Sequence, residues 1–134
     1  MDAPVIAYRF DDITIDLKNR QIRRNGDILS LPSKYFDVLS LLVSRHGELA
    51  TKQEIFNTVW GDVIVTDTAL SQCIKDIRKQ LNDDASHPRY IKTVPKHGYT
   101  FIADVQEIRS NGESPAVSLT GGVLSRPYKF LDFF

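Results

Sequence analysis

The stretch from Val65 to Phe101 constrains the fold more than any other part of this 134-residue chain. In VTDTALSQCIKDIRKQL, Leu70, Cys73, Ile74, Ile77 and Leu81 recur at the spacing of a single helical face. That period predicts an amphipathic helix over residues 67–81, with Asp67 as its N-cap. Asn82-Asp83-Asp84 and Pro88 forbid its continuation. The period then falls to two, and YIKTV and YTFI are expected to pair as a hairpin across Pro95-Lys96-His97-Gly98. Gly98 is expected to supply a backbone conformation closed to other residues.

The preceding residues supply two more helices and a sheet. Ile13, Ile15 and Leu17 share a strand face, and Ile22 follows a turn at Lys18-Asn19-Arg20. Asn25-Gly26 closes a two-residue hairpin ahead of Ile28, Leu29 and Leu31. An N-terminal antiparallel sheet of three or four strands is the expected result. From Pro32 to His46 the pattern turns helical, with Tyr35, Phe36, Leu39, Leu42 and Val43 as its apolar stripe, Pro32 at the first helical position and Gly47 at the stop. Thr51-Lys52-Gln53-Glu54 is a capping-box pattern that opens a short second helix burying Ile55 and Val59, with Trp60 as a further candidate, before Gly61. The fold class is therefore α+β: an N-terminal antiparallel sheet, three helices and a C-terminal hairpin.

Charge narrows the partner only slightly. Seventeen basic and seventeen acidic residues leave a formal net charge of zero, although binding to phosphate backbones usually shows as excess Lys and Arg. The distribution is skewed, with six basic against four acidic residues between positions 65 and 101. A single cysteine forms no internal disulfide, which fits a reducing cytoplasm. MDAPVIAYRFDD lacks the basic and apolar regions of a signal peptide, and no apolar run approaches the ~20 residues that span a bilayer. A cytoplasmic location is expected on these grounds.

Catalytic and metal chemistry has no visible seat, so neither an enzyme nor a cofactor is expected. Cys73 falls on the apolar stripe, which suits an inert buried thiol. His46, His87 and His97 have no zinc-type spacing, and Asp11, Asp12 and Asp16 read as turn and solvent-face residues. The phosphate-loop, dinucleotide and nucleophile-elbow glycine patterns are absent from the sequence.

The polar face of the 67–81 helix is more informative. Thr68, Ser71, Gln72, Lys75 and Lys79 oppose the apolar stripe, with Asp76 nearby and Arg78 towards an edge. Gln bonds adenine bidentately, Lys reaches guanine O6 and N7, and Thr or Ser takes phosphate or base edges. Two shorter helices precede this one and the basic hairpin follows it. That order is a helix-turn-helix with a wing, whose last helix fills the major groove of double-stranded DNA. Lys96 and His97 form the hairpin tip, suited to the DNA backbone or the adjacent minor groove. Thr51 and Lys52, at a helix N-terminus, are placed to face a phosphate. Asp76 counts against DNA unless it accepts from cytosine N4 or pairs with a neighbouring base-reading lysine. Near-neutral charge and Asp76 together sustain a second reading, a winged helix used mainly for protein–protein contact or assembly.

The segments LPSKYFDVLSLLVSRHGELATKQEIFNTVWG, VIVTDTALSQCIKDIRKQL and PRYIKTVPKHGYTFIADV carry a family likeness. Over residues 8–105 the chain resembles the OmpR-type winged-helix effector domain, and within it the N-terminal DNA-binding domains of ToxR/CadC-like regulators. The resemblance implies sequence-specific DNA binding for transcriptional control, by side-by-side or dimeric binding to tandem repeats. By similarity, Thr68, Ser71, Gln72 and Lys75 stand where relatives meet bases or nearby phosphates. Trp60, Arg78, Lys79 and Tyr99 stand at backbone contacts, and Lys96 and His97 at the wing tip. The Asp62–Thr66 loop matches a segment that touches RNA polymerase in some relatives. Asp76 and Cys73 replace the Arg and His of some response regulators, so the base code does not transfer.

The expected organisation is a winged-helix domain over residues 1–105, a polar linker over 106–125 and an apolar tail, RPYKFLDFF, over 126–134. The tail either packs back on the domain or opens a following one.

Overall fold

The computed structural model describes residues 3–110. These fall into a main unit, Ala7–Gln106, and a smaller one built from residues 3–6 and 107–110. The part of the expected linker beyond residue 110 and the whole RPYKFLDFF tail lie outside the described residues.

The chain opens with four antiparallel strands: β1 (Val5–Phe10), β2 (Ile13–Asp16), β3 (Gln21–Arg24) and β4 (Asp27–Leu29). Pairing Ile13 with Arg24 and Ile15 with Ile22 puts Ile13, Ile15 and Ile22 on the buried face, as the alternation requires. Asn25 and Gly26 both have positive φ, 51° and 91°, which is the type I′ turn that matches strand twist.

Helix α1 (Ser33–Ser44) buries Phe36, Val38, Leu39, Leu42 and Val43. Val38 joins the stripe, whereas Tyr35 is only half-buried, at the edge of the helix face. Pro32 is the N-cap and not the first helical residue. A short strand that the sequence did not announce, β5 (Leu49–Thr51), follows. Helix α2 (Lys52–Ile55) begins in a complete capping box: Thr51 Oγ1 accepts from Glu54 N–H, and the Glu54 carboxylate accepts from Thr51 N–H. It continues as a π-helical stretch, Phe56–Trp60, whose widened turn ends with Gly61 N–H donating to Phe56 O at 3.0 Å. Lys34 Nζ reaches across from α1 to Val59 O at 2.9 Å.

Helix α3 (Asp67–Leu81) has the expected bounds, but its N-cap is Thr66, whose hydroxyl accepts from Ala69 N–H at 3.1 Å. Asp67 is the first helical residue. Its side chain is directed instead to Lys52, at 3.4 Å. All five residues of the expected stripe are buried. Asn82 closes the helix in the left-handed conformation, φ 58°. Asp83 then organises the turn, since its two carboxylate oxygens accept from the backbone N–H groups of Asp84, Arg89, Tyr90 and Ile91.

Strands β6 (Ile91–Val94) and β7 (Gly98–Phe101) form the expected hairpin, and β5 pairs with β7 to give a second, three-stranded sheet ordered β5-β7-β6. Gly98 does not have the positive φ expected of it; Lys96 does, at 70°. Glycine is needed at 98 for a different reason. A Cβ there would lie 2.1 Å from Ala50 O on β5, closer than any packing tolerates. The core where these elements meet is aromatic: the Phe10 ring lies 4.9 Å from Phe101 and 5.4 Å from Tyr90. Tyr90 also donates to Asp11 Oδ2 at 2.7 Å, which ties the start of the hairpin to the β1–β2 turn.

In the smaller unit, Ser110 N–H donates to Pro4 O and Arg109 to Ala3 O. Strand β8 (Gln106–Arg109) occupies residues expected to form a linker; the main-chain bonds it makes with a distant segment leave no local signature.

Candidate nucleic-acid interface

Helix α3 presents an exposed face because five apolar residues bury its other side, where α1 packs. Thr68, Ser71, Gln72, Lys75 and Lys79 are all exposed. Their spacing of three or four residues gathers them into one strip. Asp76, half-buried beside them, accepts from Gln72 Nε2 at 3.0 Å.

Three sets of contacts fix the helix relative to its neighbours. The Arg78 guanidinium donates to Ile91 O at 2.9 Å and to Thr93 Oγ1 at 2.8 Å. Arg24 on β3 donates to Leu81 O at 2.8 Å, placing a cation at the negative end of α3. Lys52 N–H donates to His97 O at 3.0 Å, while the Lys52 side chain reaches Asp67, so this residue connects the hairpin tip, α2 and α3.

The tip itself is a tight turn. His97 N–H donates to Val94 O at 3.0 Å, with Pro95 and Lys96 between them. Pro at the second position and a positive φ at the third define a type II turn. Lys96 and His97 are both exposed there.

The expected site residues therefore divide. Thr68, Ser71, Gln72, Lys75 and Lys79 lie together on α3, and Lys96 and His97 lie together at the tip. Trp60 is half-buried at the end of the π-helical stretch, its ring 6.4 Å from Phe56. Arg78 is half-buried and occupied by the hairpin. Tyr99 is only 5% exposed, on the inward face of β7 with Phe101 and opposite Ala50. Its period-two relation to Phe101 was the signal for that burial.

Electrostatically, the cations sort by location. Arg20, Arg23, Arg24, Arg45, Lys52 and Arg109 each lie within 4 Å of a carboxylate. Among the described residues, Lys75, Lys79 and Lys96 have no such partner, a state they share with Arg9, Lys18, Lys34, Arg78 and Arg89. Lys92, another exposed cation without a carboxylate, was not expected at the site and lies opposite Thr100, on the other face of the hairpin from Thr93. Among the described residues no group of His, Cys, Asp and Glu could hold a metal ion.

An exposed polar helix, buttressed by a basic-tipped hairpin behind two shorter helices, is the architecture of a winged helix. Residues 26–101 match the family model "Transcriptional regulatory protein, C terminal". The chain belongs to that family. This transcriptional regulatory domain is 36% identical over 106 residues to the transcriptional activator CadC of Escherichia coli, covering 78% of this chain and 20% of CadC. It is 34% identical over 108 residues to the transcriptional regulator HilA of Salmonella typhimurium, covering 81% of this chain and 19% of HilA. The domain thus spans about a fifth of the length of these relatives. Among solved structures, the DNA-binding domain of E. coli CadC matches with a TM-score of 0.66 and 33% identity, over 81% of this chain and 100% of that one. The DNA-binding domain of Klebsiella pneumoniae RstA, solved in complex with the RstA box, matches with a TM-score of 0.65 and 31% identity, over 72% and 96%.

Proposed function

We propose that this domain binds double-stranded DNA sequence-specifically to regulate transcription, with α3 in the major groove and the wing, residues 90–102, on the adjacent minor groove or backbone. The observation that carries this reading is the placement of Lys75, Lys79 and Lys96. These cations share the helix–wing region and have no carboxylate partner among the described residues, whereas most arginines elsewhere are neutralised in pairs. Zero net charge is then no obstacle, because the acidic residues offset basic ones away from the interface.

In this reading Thr68, Ser71, Gln72 and Lys75 take base edges or nearby phosphates, and Lys79, Lys96 and His97 take the backbone. Trp60 offers its half-exposed ring beside the helix start. Arg78 and Tyr99 act through position: the first fastens the wing to α3 and the second packs the wing sheet. The RstA domain solved with its DNA box and the likeness to the CadC DNA-binding domain support double-stranded DNA as the ligand.

A second surface favours a protein partner in addition to DNA. Between the π-helical stretch and α3, Val63 is 64% exposed and Ile64 is 94% exposed. Two aliphatic side chains held in water at a loop suit a protein contact, which we assign to RNA polymerase or to a second copy bound on a tandem repeat.

Selection of bound genomic fragments by the purified chain, followed by anisotropy titration on the enriched duplexes across salt, tests the main reading. Enrichment of a common motif with affinity falling log-linearly with salt is the expected result. Binding that is absent at low salt, or equal on enriched and scrambled duplexes, overturns it and leaves the protein-contact reading.

A further inference from the structure

The acidic group midway along the α3 face has a use that its charge conceals. A carboxylate accepts hydrogen bonds and, when ionised, donates none. The 3.0 Å contact between Gln72 and Asp76 therefore requires the amide nitrogen, and not the oxygen, to face Asp76. That contact fixes the orientation of an amide which would otherwise flip freely on an exposed helix. It leaves Gln72 with its Oε1 acceptor and one remaining N–H. Asp76 is itself half-buried and lies near Tyr35 of α1. Burial, then the neighbouring Cys73 and Asp76, raise the Tyr35 phenol above its ordinary pKa, which keeps it a donor.

We propose that Asp76 is a positioning residue for base recognition: it orients the Gln72 amide so that one acceptor and one donor are presented together to the N6–H and N7 edge of an adenine. The proposal rests on the DNA-binding reading above and deepens it by naming the base class that Gln72 selects. Adenine is the base whose major-groove edge offers a donor beside an acceptor in the complementary order. Asp76 needs no contact with DNA for this role, and its bond to Gln72 offers an alternative to its reading cytosine or pairing with a lysine.

The test uses the whole chain and a set of duplexes in which each base pair of the selected site is varied in turn. Unaltered protein should prefer A·T at one position by roughly 5- to 100-fold, the range of a good bidentate contact. Gln72→Ala should abolish the preference at that position only. Asp76→Ala should reduce it at least about threefold, Asp76→Glu, which can still accept from Gln72, should restore most of it, and Asp76→Ala added to Gln72→Ala should change it no further. A thermal melt of each variant confirms folding, and Asp76→Leu, close to Asp in shape but without an acceptor, stands in if Asp76→Ala fails to fold. The proposal is overturned if Asp76→Ala strengthens or weakens binding equally on all duplexes, which is a charge effect alone, or if its effect on preference persists without Gln72. It is also overturned if Gln72→Ala leaves every base preference intact. Each of these outcomes requires salt-dependent duplex binding by the unaltered chain; loss of that binding instead overturns the DNA reading itself.

Discussion

Lys96 occupies the turn position where a side chain costs most. With φ at 70°, a β-carbon there costs about 1 kcal/mol relative to glycine. Stability alone favours glycine, whereas the DNA-binding reading gives the lysine charge a use there. Lys96→Gly should leave thermal stability equal or slightly raised while weakening binding on all duplexes. Lys96→Ala should weaken binding to a similar extent and reduce the slope of log affinity against log salt by about 1. Lys75→Ala, by contrast, should alter which sequences are preferred. Two buried groups contribute stability that is lost in alkali. Burial, then the Asp76 charge, pushes the Cys73 thiol up to about 12. Burial, then the hydrogen bond to Asp11, pushes the Tyr90 phenol up to about 12. A pKa raised in the folded state means the protonated form is favoured by folding. Its contribution is fully present below the unfolded values, 9.0 for Cys73 and 10.0 for Tyr90, and is lost as pH rises towards 12. Urea midpoints should therefore be insensitive to these groups at neutral pH and fall between pH 9 and 12, less steeply in Tyr90→Phe. Cys73 should react with thiol reagents only as fast as the domain unfolds.

Between elements, the contacts that aim the wing are more demanding than those that build the helices. Gly98→Ala puts a methyl group 2.1 Å from Ala50 O and must separate β7 from β5, so we expect a loss of roughly 2 kcal/mol or more in chemical denaturation. Arg78→Ala removes the bonds to Ile91 and Thr93 and should cost about 1–2 kcal/mol, whereas Lys79→Ala, one residue along and without a partner, should change stability by less than about 0.5 kcal/mol. On DNA the order should reverse for the salt slope, with Lys79→Ala reducing it and Arg78→Ala changing it little. The helices themselves were legible: the five-residue stripe of α3 and the Thr51 capping box are local patterns, complete within a few turns. The wing was legible as a hairpin but its glycine was misread. A glycine beside a turn suggests an unusual φ, and only the neighbouring strand β5 reveals a requirement for space. The strands β5 and β8 were missed for a related reason, since each is short and exists through pairing with a segment far away in sequence.

Over the whole molecule, neutrality conceals a division of charge. Pairs such as Arg20–Asp37 and Arg45–Glu54 remove acidic groups from play, and among the described residues Lys75, Lys79, Lys92 and Lys96 at the helix and wing have no carboxylate partner. Replacing Lys75, Lys79 and Lys96 together by alanine should reduce the salt slope by about 0.9 for each phosphate that these lysines neutralise. Arg20→Ala, which alters net charge by the same sign at a paired site, should leave the slope unchanged. Sequence alone determined the period of every long element, the stripe that faces the core, the order of helices and hairpin, and the family likeness, because side-chain periodicity and capping act over four to eight residues. Only the tertiary structure decided which polar residues remain free. It turned Tyr99 inward against β5, committed Arg78 to the wing and placed Asp76 near Tyr35 of α1. Each of those outcomes depends on a group from another element, far away in sequence but within hydrogen-bonding or packing distance in the fold, a relation that composition and spacing do not encode.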